Sequence, residues 1–217
     1  MSLLDWIYPP KCIACRMILE PSHSTERSWI CINCRPLLAV APADISSGCR
    51  GAFIYDDVVR DLIHDIKFRS HRRAAFGLGA IMAETINEWG LSGDYIVPVP
   101  LHPSKKRSRG FNQAAEIALP ISRALGIPIA NDMIRRTRKT EPQSGLSVTA
   151  REENLSDAFV FNNNKYKSDK NPRKIILFDD IFTSGATMNA CKKLLTENNT
   201  KEIVCISLSI TVFLAKS

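Results

Sequence analysis

The sequence predicts an α/β protein, with a main domain built on a mostly parallel sheet and a small module at its N-terminus. In the carboxyl-terminal part of the chain, an apolar strand, a helix and a second apolar strand follow one another, and this order implies parallel pairing. The first 50 residues instead contain two close cysteine pairs and no sustained helical period. A chain of 217 residues can bury one substantial core and a small appendage. We therefore expect a cysteine-rich module at 1–50 and the main domain at 51–217.

The composition is that of a folded, basic protein. Hydrophobic residues make up 45% of the chain and charged residues 24%, which argues against disorder. Most of the net charge of +7 comes from the stretch His102 to Lys139, which attracts polyanions or forms a solvated basic face. Within it, Lys or Arg stands at 105, 106, 107, 109, 123, 135, 136, 138 and 139, and an acid only at 116 and 132.

The sequence favours a cytoplasmic location without membrane insertion. Met1 to Tyr8 lacks the basic start of a signal peptide. The longest apolar run, Ile203 to Ala215, is interrupted by hydroxyl residues and is shorter than the roughly 20 residues that span a bilayer.

Hydrophobic spacing predicts the elements of the main domain. A short strand is expected at 53–55, and apolar residues at helical spacing predict helices over 58–66 and 74–89. The YIVPVP segment at 95–100 is typical of a buried strand that its prolines stop. The remaining expectations are a helix capped by Asn112 and bent at Pro120, a mobile loop or hairpin over a site at 133–154, a surface connection at 165–173, strands at 174–178 and 203–214, and a helix at 187–197.

The cysteines near the N-terminus have the spacing of a structural zinc site. Two C-x-x-C pairs separated by a loop place four thiolates around one tetrahedral ion, and a four-sulfur shell leaves no open position for catalysis. The alternative is four buried free cysteines. Of the other three, Cys191 and Cys205 lie on apolar elements and are expected to be small core residues. The predicted zinc ligands are Cys12, Cys15, Cys31 and Cys34.

The segment from Ile175 to Thr187 has the features of a phosphate-binding loop. An apolar strand ends in two acids, and a short loop with hydroxyls and one glycine leads into a helix whose N-terminus favours an anion. The acids Asp179 and Asp180 repel a phosphate, so we expect them to face sugar hydroxyls, directly or through Mg²⁺. The candidate ribose-phosphate residues are Asp179, Asp180, Thr183, Ser184, Gly185, Ala186 and Thr187.

This loop resembles the signature with which type I phosphoribosyltransferases bind 5-phosphoribosyl 1-pyrophosphate (PRPP), acid-acid-x-x-Thr-Thr/Ser-Gly-x-Thr. The resemblance implies that the acidic pair holds the ribose 2′ and 3′ hydroxyls and that the loop holds the 5′-phosphate, with Mg²⁺ bound together with PRPP. It also implies the type I phosphoribosyltransferase fold, a twisted, mostly parallel sheet flanked by helices and covered by a flexible hood.

A wider set of motifs resembles the ComF family over nearly the whole chain. The resemblance implies a role in natural transformation, with single-stranded DNA and DNA-uptake proteins such as a helicase as partners. The motifs are the four-cysteine knuckle, Lys67-Phe68, Val97-Pro-Val-Pro, Arg109-Gly-Phe-Asn-Gln113, Thr140 with Gln143, Arg151 with Asn154, and the PRPP loop.

The cations just after the YIVPVP strand are expected at the same edge of the sheet as the phosphate loop. They can bind pyrophosphate or the phosphates of DNA, and the alternative for Lys106 and Arg107 is plain exposure to solvent. Phe111, which follows these cations in the sequence, is the evident candidate for stacking on a nucleic-acid base. The candidate anion-binding residues are Lys67, Lys105, Arg107 and Arg109.

Three functions stay open. The first is the handling of single-stranded DNA with a PRPP or ribose 5-phosphate pocket, the second is a true phosphoribosyltransferase with an unknown acceptor, and the third is a PRPP-sensing regulator. Thr183 stands where purine phosphoribosyltransferases carry an acid, which argues against purine salvage. The chain begins Met1-Ser2, without the N-terminal cysteine nucleophile of glutamine-hydrolysing relatives.

Overall fold

The computed structural model describes residues 9–19, 29–42, 48–69, 71–138, 155, 157–166 and 173–211. The strands are β1 (Cys49–Ile54), β2 (Tyr95–Pro98), β3 (Ile134–Arg136), β4 (Phe159–Phe161), β5 (Lys174–Phe182) and β6 (Glu202–Ile210). The helices are α1 (Asp57–Arg69), α2 (Arg72–Ile86), α3 (Pro103–Arg109), α4 (Gln113–Leu125), α5 (Asn163–Tyr166) and α6 (Ala186–Glu197), with 3₁₀ turns at Arg35–Leu37 and Asn87–Trp89.

Four strands form a parallel sheet in the order β1-β6-β5-β2. Because β5 pairs on both sides, its apolar run is buried between two neighbours, as is typical of parallel sheets. The side chains of Ile176 and Phe178 contact one hydrophobic core, and those of Ile175 and Leu177 contact another. This alternation shows that both faces of the sheet are covered, which confirms the predicted α/β class.

The core on one face is formed with α1, α2 and α4, and the core on the other face with α6 and the β3–β4 hairpin. Helix α4 begins where predicted, because the side-chain oxygen of Asn112 accepts a hydrogen bond from the Ala114 N–H at 3.2 Å. It ends at Gly126, which adopts a left-handed conformation and donates its N–H to the Ser122 carbonyl.

The cysteine-rich module packs into the first of these cores. Cys12, Ile13 and Ile30 belong to the same buried cluster as the apolar side chains of α2. The boundary predicted after residue 50 falls within β1, which begins at Cys49.

A short segment before β1 runs along the outer edge of that strand. Val40 forms an antiparallel bridge with Phe53. The Ala41 N–H donates to the Ala52 carbonyl at 3.0 Å, and the Ile54 N–H donates to the Ala39 carbonyl at 2.8 Å. The segment therefore supplies hydrogen-bond partners to the side of β1 that faces away from β6.

The polar segment predicted as a loop or hairpin contains a hairpin strand at its start. Strand β3 pairs with β4 in antiparallel register. The two strands lie on either side, in the chain, of residues 139–154, which are outside the described residues. The side chain of Asp132 fastens the hairpin to α5, since it accepts a hydrogen bond from the Tyr166 hydroxyl at 2.7 Å and pairs with Lys165. The expected hood residues Thr140, Gln143, Arg151 and Asn154 lie outside the described residues, as does most of the connection at 165–173.

Two helices were not predicted, the four-residue α5 and the helix that follows β2. The basic stretch after β2 forms α3, which His102 caps by accepting the Ser104 N–H at 3.2 Å, and Gly110 ends it in a left-handed conformation. Across the described ranges, no helix has both the length and the apolar character needed to cross a bilayer.

Candidate functional site

The predicted phosphate loop lies between the end of β5 and the start of α6. Gly185 precedes the helix with a φ of +75°, a conformation that other residues rarely adopt. A β-carbon at this position would lie 2.8 Å from the ring of Phe182, so the close packing also requires glycine. The first-turn N–H groups of α6 have no acceptors within the helix, and they point toward the loop.

The loop has little internal space in this conformation. Asp179 and residues 181–188 line a small cavity of about 30 Å³ that is open to solvent on one side. The enclosed volume suits on the order of one or two water molecules. The side chain of Thr183 is exposed, and those of Ser184 and Thr187 are half-buried.

The two acids before the loop are held in different ways. The Asp180 N–H donates to the Asp179 carboxylate at 2.8 Å. The carboxylate of Asp180 is nearly inaccessible and forms an ion pair with Lys67, whose Nζ lies 2.7 Å from Oδ2. Gln113 at the start of α4 donates to the same oxygen at 3.3 Å, and Arg109 donates to the Gln113 side-chain oxygen.

These contacts separate the pKa values of the pair. Burial, and then the charge of Asp180, raise the pKa of Asp179 well above its usual range. Burial also acts to raise the pKa of Asp180, but the charge and hydrogen bond of Lys67, together with hydrogen bonds from Asp179 and Gln113, outweigh it, and the pKa of Asp180 is lowered. The pair therefore favours a single negative charge, placed on Asp180 and balanced by Lys67.

The four predicted anion-binding cations have different surroundings. Lys67 contacts Asp180, and Arg109 is half-buried beside Gln113, where burial lowers the pKa of its guanidinium despite the charge of Asp180. Lys105 and Arg107 have exposed side chains on α3. Binding of pyrophosphate or DNA phosphate by these residues stays a prediction.

Sequence reasoning did not single out Gln113 as a site residue. It is one of the few buried polar side chains among the described residues, and it connects Arg109 to Asp180. Its place in the Arg109-Gly-Phe-Asn-Gln113 motif was the signal that could have identified it.

The expected stacking role of Phe111 does not fit the structure. Its ring is 3% exposed, and the guanidinium of Arg72 lies 5.3 Å from the ring centroid. A nucleic-acid base has no free face of this ring to stack on.

The four N-terminal cysteines meet at one point. Their sulfur atoms all lie within 4.8 Å of one another, and those of Cys15 and Cys31 are 3.7 Å apart. The edge of a tetrahedron with Zn–S bonds of about 2.3 Å is about 3.8 Å, so the donor set fits a zinc ion.

Backbone contacts also favour a thiolate in this cluster. Burial acts to raise the pKa of Cys12, but backbone N–H groups, beginning with that of Cys31, outweigh it and lower the pKa to about 7. The burial predicted for Cys191 and Cys205 is confirmed, and Cys49 is buried with them.

Solved structures with a similar course of the chain include phosphoribosyltransferases. An allosteric regulatory enzyme of purine biosynthesis aligns with 62% of this chain and 25% of its own, at a TM-score of 0.42 and 18% identity. A hypoxanthine phosphoribosyltransferase from Staphylococcus aureus aligns with 67% of this chain and 71% of its own, at a TM-score of 0.38 and 9% identity. With TM-scores below 0.5, these likenesses add nothing to the family assignment.

Sequence relatives give the assignment. No protein-family model matches the chain. The chain is 38% identical to competence protein F of Haemophilus influenzae over 108 residues, a match that spans 50% of this chain and only 46% of that protein. It is 29% identical to competence protein ComFC of Streptococcus pneumoniae over 186 residues, which cover 85% of this chain and 76% of the relative. It is 30% identical to the DNA utilization protein YhgH of Shigella flexneri over 159 residues, which cover 70% of this chain and 68% of the relative. With these relatives, the four-cysteine cluster and the parallel α/β sheet, the chain belongs to the ComF family of competence and DNA utilization proteins.

Proposed function

We propose that this protein handles incoming single-stranded DNA in natural transformation and that it carries a pocket for PRPP or ribose 5-phosphate. The pocket is supported above all by one observation: a carboxylate pair near the end of β5, with Asp180 buried and Asp179 half-buried, precedes a loop that ends at the N-terminus of a 12-residue helix. The relatives called competence and DNA utilization proteins support the role in DNA handling.

The two halves of the pocket suit the two halves of a sugar phosphate. The 5′-phosphate binds the hydroxyls of Thr183, Ser184 and Thr187 and the first-turn N–H groups of α6. The acids Asp179 and Asp180 accept hydrogen bonds from the ribose hydroxyls, because a carboxylate beside a phosphate is favourable only when it faces donors. A pyrophosphate group of PRPP then lies toward α3 and its cations, with Mg²⁺ neutralising part of its charge.

A true phosphoribosyltransferase is the second candidate. The acidic pair and its fixed contacts favour it, because a protein that only binds DNA has little need for two carboxylates beside a phosphate loop. In that case, closure of a hood over the site would keep water away from a reactive ribosyl cation. The acceptor would differ from a purine, since Thr183 cannot act as the base.

Binding of PRPP tests the pocket. We expect PRPP with Mg²⁺ to stabilise the protein by about 2.7 kcal/mol at a concentration about 100 times its dissociation constant, because a ligand of the native state raises stability by mass action. The double change Asp179→Asn and Asp180→Asn removes both sugar-binding carboxyl groups and should abolish this effect. Thermal unfolding with and without PRPP measures both results.

A matched control keeps this test specific. The carboxylates of Asp57 and Asp61 are exposed on α1, and both pair with Arg60, so their double change to Asn makes the same two substitutions outside the loop. This variant should retain the full response to PRPP. Absence of any response in the wild type would contradict the pocket.

Binding of DNA tests the other half of the proposal. The exposed side chains of Lys105, Lys106 and Arg107 on α3 displace counterions from phosphates, so affinity for single strands should fall with salt, with a log–log slope of roughly −0.7 per phosphate contacted. Because Phe111 is buried, we expect weak binding without sequence preference. Anisotropy titrations at two salt concentrations measure the slope.

Replacing these three cations by Ala should weaken binding and flatten the salt dependence. Arg109 is left unchanged because it holds Gln113 in the pocket. The matched control replaces Lys192, Lys193 and Lys201, which are also exposed, by Ala. If both triple variants lose affinity equally, binding depends on net charge and not on α3, which would contradict this part of the proposal.

A further inference from the structure

The ion pair between Lys67 and Asp180 is the most buried among those formed by the described residues. The side chain of Lys67 is 22% exposed and that of Asp180 is 7% exposed, whereas every other such pair has a partner that is at least 43% exposed. A pair that is shielded in this way is strongly held, because removal of either partner leaves an uncompensated charge.

The surrounding contacts fix the position of this pair. Oδ2 of Asp180 accepts from Gln113 as well as from Lys67, and the backbone carbonyl of Asp180 accepts the Ser209 hydroxyl at 3.2 Å. Contacts from α1, α4 and β6 thus hold the acid from three sides, and the lysine lies on the oxygen that a divalent cation would need.

We infer that the Lys67 ammonium takes the place of a divalent cation in the sugar half of the pocket, so that the protein binds ribose 5-phosphate without metal. This inference rests on the proposed ribose-phosphate pocket. An ammonium group has three N–H donors. One is used on Asp180, and the other two can be shared with sugar hydroxyl oxygens, so that the lysine bridges acid and sugar as a metal ion would.

Mg²⁺ is poorly suited to bind at the same position. It requires oxygen ligands at about 2.0–2.1 Å in near-octahedral geometry, and it gives up its water reluctantly. To reach Oδ2 of Asp180 it would have to displace an ammonium that lies 2.7 Å away and then leave that ammonium half-buried without its partner. PRPP would then require Mg²⁺ only for its pyrophosphate group, which ribose 5-phosphate lacks.

Calorimetric titration with ribose 5-phosphate tests this inference. The dissociation constant of the wild type should agree within about twofold, a difference of about 0.4 kcal/mol, between buffer prepared free of Mg²⁺ and buffer with millimolar Mg²⁺. No chelator is added to the protein, because it would also remove a zinc ion from the four cysteines. Lys67→Met keeps most of the aliphatic stem and removes the charge. It should weaken binding about tenfold or more without Mg²⁺, as expected for a lost charged hydrogen bond. Mg²⁺ should restore part of that loss, because Oδ2 of Asp180 is uncovered.

Two further variants serve as controls. Lys67→Arg keeps the charge and should bind more tightly than Lys67→Met in the absence of Mg²⁺. Arg60→Met on the same helix removes an exposed cation that pairs with Asp57 and Asp61, and it should bind as the wild type does.

The outcomes separate the inference from the function on which it rests. A wild type that binds ribose 5-phosphate only with Mg²⁺ overturns the inference and leaves the pocket intact. A wild type that binds under neither condition overturns the pocket itself. If Lys67→Met fails to fold, the comparison of the wild type with and without Mg²⁺ still decides the matter.

Discussion

At the scale of single residues, Gly79 sets how closely α2 and α4 approach. A β-carbon at this position would lie 2.1 Å from the carbonyl oxygen of Ile117 and 2.6 Å from the ring of Pro120. The first of these contacts is with helix backbone, which cannot turn away as a side chain can. The absence of a side chain at Gly79 is therefore a requirement of the helix contact.

We predict that Gly79→Ala destabilises the protein. The clash should cost about 1–3 kcal/mol, as in other overpacked cores, and should exceed the gain in helix propensity of up to about 1 kcal/mol. Chemical denaturation measures the difference. Gly77→Ala on the same helix is the matched control, because its β-carbon would meet mainly the side chains of Trp29 and Ile13, which can shift. A loss of stability from Gly77→Ala that equals or exceeds that from Gly79→Ala would contradict this explanation.

The loop residues were predictable from sequence, whereas the contacts of Asp180 were not. The acids, hydroxyls and glycine of the loop are neighbours in the chain, so their spacing is visible in the sequence. Lys67 reaches Asp180 only because α1 packs against the end of β5, and that packing depends on the whole core. The binding of pyrophosphate or DNA phosphate by Lys67 stays a prediction, and the structure adds its ion pair with Asp180, which no spacing in the sequence indicated.

At the scale of elements, the apolar segments of the main sheet were predicted, including the short β1 and β2, whereas the two strands of the β3–β4 hairpin were not located. Strands β5 and β6 and helix α6 have sustained patterns, and they occur within a few residues of the predicted positions. Strands β3 and β4 have three residues each, too few for a period to be recognised. Their stability comes from pairing with each other and from packing on α6.

Helix α3 was missed for a different reason. Its sequence was interpreted by charge alone, although it has a start signal in His102-Pro103 and a stop signal in Gly110. The last turn of the helix contains three basic residues, Lys106, Arg107 and Arg109. They stabilise the helix, because its C-terminal end carries a partial negative charge. The cations are thus ordered on one turn of helix, which sharpens the surface to be tested for DNA binding.

At the scale of the whole molecule, the cysteine cluster and the main sheet share one hydrophobic core. Cys12 and Cys34 are themselves members of the buried cluster that includes residues of β5 and β6. A metal ion bound by the four sulfurs would therefore stabilise more than the local loops.

We predict one tightly bound zinc ion per chain and a single unfolding transition for module and main domain. Cys31→Ser should lower the zinc content and the melting temperature of the entire chain, because metal binding and folding are coupled. Elemental analysis and differential scanning calorimetry measure the two effects. A chelator should lower the melting temperature of the wild type and leave that of Cys31→Ser nearly unchanged. Freshly purified protein without zinc, or a first transition confined to the module, would contradict the prediction.

The pairing of residues 39–41 with β1 also protects the protein from self-association. β1 is the last strand on its side of the sheet, and an uncovered outer strand offers its N–H and carbonyl groups to any other chain. The bridge between Val40 and Phe53 occupies this position within the same molecule. A fragment trimmed to start at β1 would lose that cover, so its sheets could join edge to edge between molecules and precipitate. By covering the outer edge of β1, residues 39–41 thus reduce the tendency of the sheet to aggregate.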